Sequence, residues 1–404
     1  METRNILFIS GSCGLGHVTR DMAVANALRK LHPDIKISWL ASYPAIQALQ
    51  EAGEYLIPET EEYASVSCPA ERAAKGTHLN LLEYLIKSKK EWNKNFEIYK
   101  KINSQGKFDL IIGDETYEIS AGMKKELVEK TAPYVVIYDF VGLDAMTKNP
   151  KEWFGIYMWN RIWSKHFKKG IAHPADLILL VGVEEDIPDK SFGFLLPNRR
   201  AWAKSLCQFV GYIFNFNPKD YSDKAKIRSK LKYGKESLIV CSIGGTSIGK
   251  GLLELCSQAY PILKEKIPDV HMVLVCGPRL STEALDIPQG IEVKEYVPDL
   301  FEHFAACDLA VSLGGRTSTL ELTALRRPFI YFPLEGHFEQ AQVSEMLTHY
   351  GAGVKMTFAQ TTPELLADEM LRHLGEEVSY EPIPVDGDHK AAQLINSLLE
   401  QSLV

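Results

Sequence analysis

Two doubly wound, Rossmann-like α/β domains facing each other across a cleft are the fold class this sequence predicts, and three observations carry it. Short β-rich runs alternate with longer amphipathic stretches along almost the whole chain. The alternation restarts at Ser237, after a first series that ends at Val181. At 404 residues, the chain also exceeds what one hydrophobic core usually holds.

The first series has strands at Ile6–Ser10, Ile35–Ala41, Phe108–Gly113, Tyr134–Tyr138 and Asp176–Val181. Helical periodicity fills Val18–Leu31, Leu79–Asn103 and Tyr117–Lys130. The second series has strands at Ser237–Ser242, His271–Cys276, Ile291–Lys294, Asp308–Leu313 and Phe329–Phe332. Its helices are expected at Gly251–Lys266, Asp299–Ala306, Thr317–Leu325, Phe338–Tyr350 and Pro363–Leu374. Strands and helices of these lengths in alternation build parallel sheets with right-handed crossovers. Asn215, Asn217 and Pro218 punctuate the chain between the two series. An N-terminal domain is therefore expected over 1–213, with an aromatic insertion at about 141–172, and a C-terminal domain over 214–384. The run from Pro382 to Asp388 leads into Lys390–Leu399, so that 385–404 forms a last helix able to pack back on the N-terminal domain.

Composition excludes several classes. With 46% hydrophobic and 24% charged residues, the chain leaves no room for a long disordered tract. A net charge of −7 argues against a nucleic-acid footprint. Seven cysteines without a C-x-x-C pair suit neither a disulfide framework nor a zinc site, and fit a reducing cytoplasm. No apolar run approaches the roughly 18 residues of a membrane span. The start lacks the order of a signal peptide. The expectation is a cytoplasmic protein, with peripheral contact at a membrane's inner face left open.

Three motifs bear chemistry. The stretch Ser10-Gly-Ser-Cys-Gly-Leu-Gly-His-Val-Thr-Arg20 follows the first strand. Its glycines at 11, 14 and 16 depart from dinucleotide spacing, and the next strand ends Trp39-Leu-Ala-Ser42 with no acid for a ribose. The second motif is Gly244-Gly-Thr-Ser-Ile-Gly-Lys-Gly251, where Gly251 stands in place of the magnesium-binding Ser/Thr of a Walker A loop. It suits either a phosphate loop at a helix N-terminus or a plain tight turn. The third motif is Ser312-Leu-Gly-Gly-Arg-Thr-Ser-Thr-Leu-Glu321, with Arg327-Pro328 and Gly336-His-Phe-Glu-Gln340 beyond. Hydroxyls of Thr317, Ser318 and Thr319 open a helix able to receive a diphosphate, and Glu321 lies one turn further in.

The third motif, with Pro328 seven residues after Glu321, resembles the donor signature of GT-B glycosyltransferases that use UDP-sugars. It is similar both to the UDP-glycosyltransferases of plants and animals and to glycosyltransferase family 28, and the Pro328–Gln340 spacing looks more like the latter. Gly14-Leu-Gly-His17 resembles that family's first loop, and Phe209-Val-Gly-Tyr212 the strand entering the linker. Leu313 and Tyr296 depart from the plant type, which carries histidine and tryptophan there.

The resemblance implies roles residue by residue. His17 would be the general base on an acceptor hydroxyl, and Asp114 would orient it. Gly244, Gly245 and Thr246 would approach the diphosphate, and the backbone of Val297 the uracil edge. Gly315, Thr317 and Ser318 would hold phosphate, Glu321 the ribose, and Glu339 with Gln340 the sugar hydroxyls. Gly16, Arg20 and Arg316 are further candidates for phosphate or acceptor. The implied enzyme moves a hexose or N-acetylhexosamine from a UDP-sugar to a small or lipid-linked acceptor, with inversion. It needs no cofactor and no metal, because helix N-termini and backbone amides receive the departing UDP.

Taken alone, each residue also has a plainer reading. A histidine at a helix start commonly caps or packs, Arg20 suits a solvated helix face, and Lys87–Lys90 is a charged helix surface. The stretch Lys151–Lys169 holds three of the six tryptophans and suits core packing, an acceptor-site wall or an interfacial membrane contact. Two rival functions keep the fold. One is a UDP-sugar hydrolase of the pseudaminic acid pathway type, whose loop Gly16-His17-Val-Thr-Arg20 also fits. The other is a non-catalytic nucleotide-sugar-binding subunit.

Overall fold

Residues 3–10, 14–65, 67–167 and 173–401 are described by the computed structural model. Gly11 of the first glycine turn, and residues 168–172 at the end of the aromatic stretch, lie outside them. The chain divides into two units: Met1–Ala73, Leu81–Asn215 and Pro384–Val404 form the N-terminal one, Ala74–Asn80 and Phe216–Ile383 the C-terminal one.

In the N-terminal unit, apolar runs form β1 (Arg4–Ser10), β2 (Ile35–Ala41), β3 (Leu110–Asp114), β4 (Tyr134–Tyr138), β5 (Leu177–Val181) and β6 (Gln208–Gly211). They make one parallel sheet in the order β2-β1-β3-β4-β5-β6. Successive residues of β1 point to opposite faces, and both faces are covered. Ile6 and Phe8 pack in one cluster with Val24 and Leu28 of the helix Gly16–Leu31 and with Ala392 and Ile395 of the C-terminal helix Gly387–Gln401. Leu7 and Ile9 pack in the other, with Tyr99 and Ile102 of the helix Lys89–Asn103. Each such side chain, fully buried, contributes about 1.5–3 kcal/mol.

The C-terminal unit repeats the plan with β7 (Leu238–Ser242), β8 (His271–Val275), β9 (Glu292–Lys294), β10 (Leu309–Leu313), β11 (Phe329–Phe332) and β12 (Val354–Lys355). Its parallel order is β9-β8-β7-β10-β11-β12.

Two helices differ from expectation. The stretch expected as one helix over Leu79–Asn103 is a strand end, a helix Leu81–Lys87 and a second helix Lys89–Asn103. Buried Ser88 separates them, and its Oγ donates to the Tyr84 carbonyl at 2.8 Å, the back-bonding that bends a helix. The helix expected over Tyr117–Lys130 stops at Lys124. Glu126 turns to φ +56°, and the Leu127 N–H closes the end on the Gly122 carbonyl at 3.1 Å.

Candidate functional site

Each sheet has one place where successive connections run in opposite directions, and a crevice opens there beyond the strand ends. In the N-terminal sheet that place lies between β1 and β3, where Ser10 pairs with Asp114. The chain leaving β1 turns through Gly14 at φ +89° and enters the helix Gly16–Leu31, with His17 as its second residue. His17 Nδ1 lies 3.1 Å from Asp114 Oδ2. The imidazole keeps 14% of its surface exposed, while the carboxylate keeps none.

Arg20, one helical turn on, is buried, which corrects the reading of it as a solvated arginine. Its Nε donates to Asp114 Oδ2 at 3.0 Å and its Nη2 to Asp114 Oδ1 at 2.5 Å. Its Nη1 donates to Asp139 Oδ2 at 2.7 Å. Three acids complete the cluster, Asp21 and Asp139 buried and Glu115 half-buried. Asp21 accepts from Ser10 Oγ at 2.6 Å, Asp139 follows β4, and Glu115 stands after β3 at φ +51°. Burial alone would raise Asp114, but Arg20 and His17 beside it outweigh that and hold the carboxyl below its usual range. Burial, then the charge of Asp114, pushes Asp21 up; burial, then Asp139, does the same to Glu115. The cluster thus favours the ionised form of Asp114 beside its arginine and disfavours it at Asp21 and Glu115.

Asp139, Asp21 and Glu115 were not anticipated. Asp139 had a signal, since it follows the apolar run Tyr134–Tyr138 just as Asp114 closes β3.

In the C-terminal sheet the reversal lies between β7 and β10, where Ser242 pairs with Ser312. Gly244 turns at φ +74°, and Gly245 and Thr246 follow, leading through Ser247–Gly249 to the helix Lys250–Lys266. Gly277, after β8, allows this turn its place: a Cβ there would lie 2.0 Å from the Gly244 carbonyl oxygen. Across the reversal, Gly315 is the N-cap of the helix Arg316–Ala324. No side chain caps either helix; the Lys250 N–H donates to the Ser247 carbonyl, and the first turn of the helix Arg316–Ala324 has no side-chain acceptor from its own N-cap. Of the three hydroxyls that open this helix, Thr319 Oγ1 turns back to the Gly315 carbonyl at 2.9 Å, while Thr317 and Ser318 stay half-buried.

Glu321, on the same helix, is buried, and burial followed by the charge of Asp299 pushes its carboxyl up to about 8. Val297 is half-buried in the loop after β9. Glu339 and Gln340 lie at the start of the helix Phe338–His349, in the connection after β11. Gln340 Oε1 accepts from the Leu334 N–H at 2.7 Å. A Cβ on Gly314 would stand 3.4 Å from that oxygen, so the turn after β10 and the connection after β11 fit closely. Arg316 is buried at the helix start. The candidates thus fall into two groups: His17, Asp114, Arg20 and Gly16 in the N-terminal unit, and the donor-loop residues in the C-terminal unit. Among the described residues, no group of three or more His, Cys, Asp or Glu side chains is placed to hold a metal ion.

The aromatic stretch forms a helix, Pro150–Trp163, with apolar and polar residues on both its buried and its exposed faces. Ile156 and Asn160 face inward, and Trp163 packs on Tyr117, Tyr138 and Phe140 with centroids 5.4–5.7 Å apart. Trp153 and Phe154 are 59% and 65% exposed.

Residues 239–393 match the glycosyltransferase family 28 C-terminal domain. An uncharacterized glycosyltransferase of Methanosarcina acetivorans is 29% identical over 114 residues, 28% of this chain and 29% of that protein. A UDP-N-acetylglucosamine--N-acetylmuramyl-(pentapeptide) pyrophosphoryl-undecaprenol N-acetylglucosamine transferase of Carboxydothermus hydrogenoformans is 22% identical over 149 residues, 35% of this chain and 40% of that protein. The chain thus spans less than half the length of either relative. The solved glycosyltransferase of kitacinnamycin superposes with a TM-score of 0.62 at 15% identity, over 99% of this chain and 100% of that one. The fold is GT-B.

Proposed function

We propose that this chain, a GT-B protein with a family 28 C-terminal domain, transfers a sugar from a UDP-sugar to an acceptor hydroxyl, with inversion and without a metal ion. The observation that carries the chemistry is the 3.1 Å approach of His17 Nδ1 to an ionised, fully buried Asp114. With the proton on Nδ1 and directed at Asp114, Nε2 is free to accept one. The acceptor oxygen loses its proton to Nε2 and bonds the anomeric carbon, as the bond to the UDP oxygen breaks and its electron pair leaves with UDP. The uncapped start of the helix Arg316–Ala324 offers amides and dipole to that charge, and the helix Lys250–Lys266 its dipole. Glu321 serves the ribose, Val297 the base, and Glu339 with Gln340 the sugar. Arg20 has its guanidinium occupied by two carboxylates and serves as the clamp on Asp114.

The test is turnover of a UDP-sugar panel with and without hydroxyl acceptors. Sugar appearing on an acceptor supports the reading. Release of free sugar at the same rate without acceptor supports the hydrolase instead, and UDP binding without turnover supports the non-catalytic subunit.

A lipid-linked acceptor is favoured by one further observation. Glu152, the only acid of the helix Pro150–Trp163, is buried, and its carboxylate accepts from the Met146 N–H at 2.5 Å. The outer face is left with Trp153, Phe154, Lys151 and Arg161, while Phe194 and Leu195 stand 72% and 87% exposed beside Tyr157. Exposed aromatics among cations suit an anionic bilayer surface. Co-sedimentation with anionic vesicles, lost in Trp153→Ser/Phe154→Ser, checks this.

A further inference from the structure

Between the helices Ser67–Ala73 and Leu81–Lys87, seven residues, Ala74–Asn80, belong to the C-terminal unit. They form a hairpin in which Ala74–Lys75 pairs antiparallel with His78–Leu79. Its outer strand pairs in turn with Glu335. The Leu79 N–H donates to the Glu335 carbonyl at 2.8 Å, and the Glu335 N–H donates to the Thr77 carbonyl at 3.0 Å. Gly336 lets the two backbones meet: it sits at φ +76°, and a Cβ there would lie 2.2 Å from the Leu79 carbonyl oxygen. On its other side, Thr77 Cγ2 lies 3.4 Å from where a Gly251 Cβ would be.

Gly251 opens the helix that follows the β7 turn, whereas Glu335 and Gly336 lie after β11, and β10 runs between those strands. Two strand spacings are about 9–10 Å, the reach of Thr77–Leu79 with their side chains. The hairpin therefore reaches from the start of the helix Lys250–Lys266 to the connection after β11 that leads to Glu339 and Gln340. His78 is not consumed by packing: its side chain is 45% exposed, with Nδ1 3.9 Å from Glu335 Oε2.

We propose that this hairpin is a donor-specificity element, with His78 and Glu335 contacting hydroxyls of the transferred sugar and the hairpin holding the connection Glu335–Gln340 in position. The inference rests on the assignment of nucleotide-sugar binding to the C-terminal unit. It adds to that unit a sugar subsite drawn from the N-terminal part of the sequence.

Calorimetry with UDP and with a panel of UDP-sugars tests it. His78→Ala is expected to leave the UDP Kd within about twofold and to raise the Kd of the preferred UDP-sugar about tenfold, narrowing the preference among sugars. Gly336→Ala, which forces the hairpin off its partner, is expected to give the same split, with thermal unfolding as a check on its fold. A purely structural role for His78 would weaken UDP and UDP-sugar alike. That result, or a His78→Ala variant indistinguishable from the parent, overturns the inference and leaves the donor assignment standing. A parent protein that binds neither UDP nor any UDP-sugar overturns both.

Discussion

Arg20 Nη2 lies 2.7 Å from His17 Nδ1, the same ring nitrogen that faces Asp114 Oδ2 at 3.1 Å. An arginine can only donate, so Nδ1 accepts from Arg20 in one tautomer and donates to Asp114 in the other. Only the second leaves Nε2 able to take a proton. Asp139 holds the other end of the guanidinium, accepting from Nη1 at 2.7 Å, and so limits how far Arg20 can turn toward the histidine.

Asp139→Asn should therefore let the guanidinium settle on His17 and favour the inactive tautomer. Turnover should fall about tenfold while the Kd for UDP stays unchanged, because the proposed donor contacts lie in the other unit. Nitrogen-15 spectra of His17 should show Nδ1 without its proton. A variant with altered UDP affinity and an unshifted tautomer would point to general damage instead.

Loss of the proposed base itself should cost more. His17→Ala should cut turnover by about 10²–10⁴-fold with UDP affinity nearly intact. Asp114→Ala should cost less in rate beyond its effect on folding, since it orients the imidazole and takes no proton. It should cost more in stability, about 3–5 kcal/mol in urea unfolding, because Arg20 is left buried without its main partner. In the double variant, the rate should be little worse than in His17→Ala alone. Fully multiplicative losses would return His17 to a helix-start residue.

The contrast between His17 and Arg20 marks what was legible beforehand. The strand, glycine turn and helix around His17 are local, so apolar periodicity and Gly14 were sufficient to place it. Asp114 and Glu321 were legible because they sit at a strand end and one turn into a helix. Arg20's burial was not, because it depends on Asp139, which lies 119 residues away and comes alongside only through the strand order β1-β3-β4. The hairpin at Ala74–Leu79 was hidden for the same reason. Its pairing with Glu335 is a contact across more than half of the chain, and a helical pattern over Leu79–Asn103 masked its second strand.

Glu321 should make nucleoside binding pH-dependent. Burial, then the charge of Asp299, pushes its carboxyl up to about 8, while ribose hydroxyls donate best to a carboxylate. Uridine, which has no phosphate to titrate, should bind more tightly as pH rises from 6 to 8, approaching about tenfold per unit well below 8. Stability runs the opposite way. An acid raised on folding costs stability once pH exceeds its unfolded value of 4.5, and the cost grows up to about 8. Glu321→Gln should thus raise Tm relative to the parent at pH 8 and leave it unchanged at pH 4, and its uridine affinity should be flat across the range. A parent affinity equally flat would remove Glu321 from the ribose site.

Gly277→Ala isolates the phosphate turn from everything else. Gly277 contacts no candidate side chain; its role is the absence of a Cβ, which would otherwise stand 2.0 Å from the Gly244 carbonyl oxygen. Its φ of +78° adds a further cost for alanine. Relief has to come from movement of the turn Gly244–Thr246, because Gly277 is anchored behind by Cys276, whose N–H donates to the Lys294 carbonyl at 2.9 Å. If that turn approaches the diphosphate, UDP should bind at least tenfold more weakly. Uridine, which lacks the diphosphate and on the proposed reading meets Glu321 and Val297, should change by less than about threefold, since each tenfold is about 1.4 kcal/mol of lost contact. Hydrogen exchange should report faster opening at Gly244–Thr246, with β1 and β3 of the other unit unaffected. Equal weakening of UDP and uridine would mean that the sheet edge as a whole had been disturbed. Unchanged UDP binding, with the turn visibly displaced, would take Gly244, Gly245 and Thr246 out of the diphosphate site.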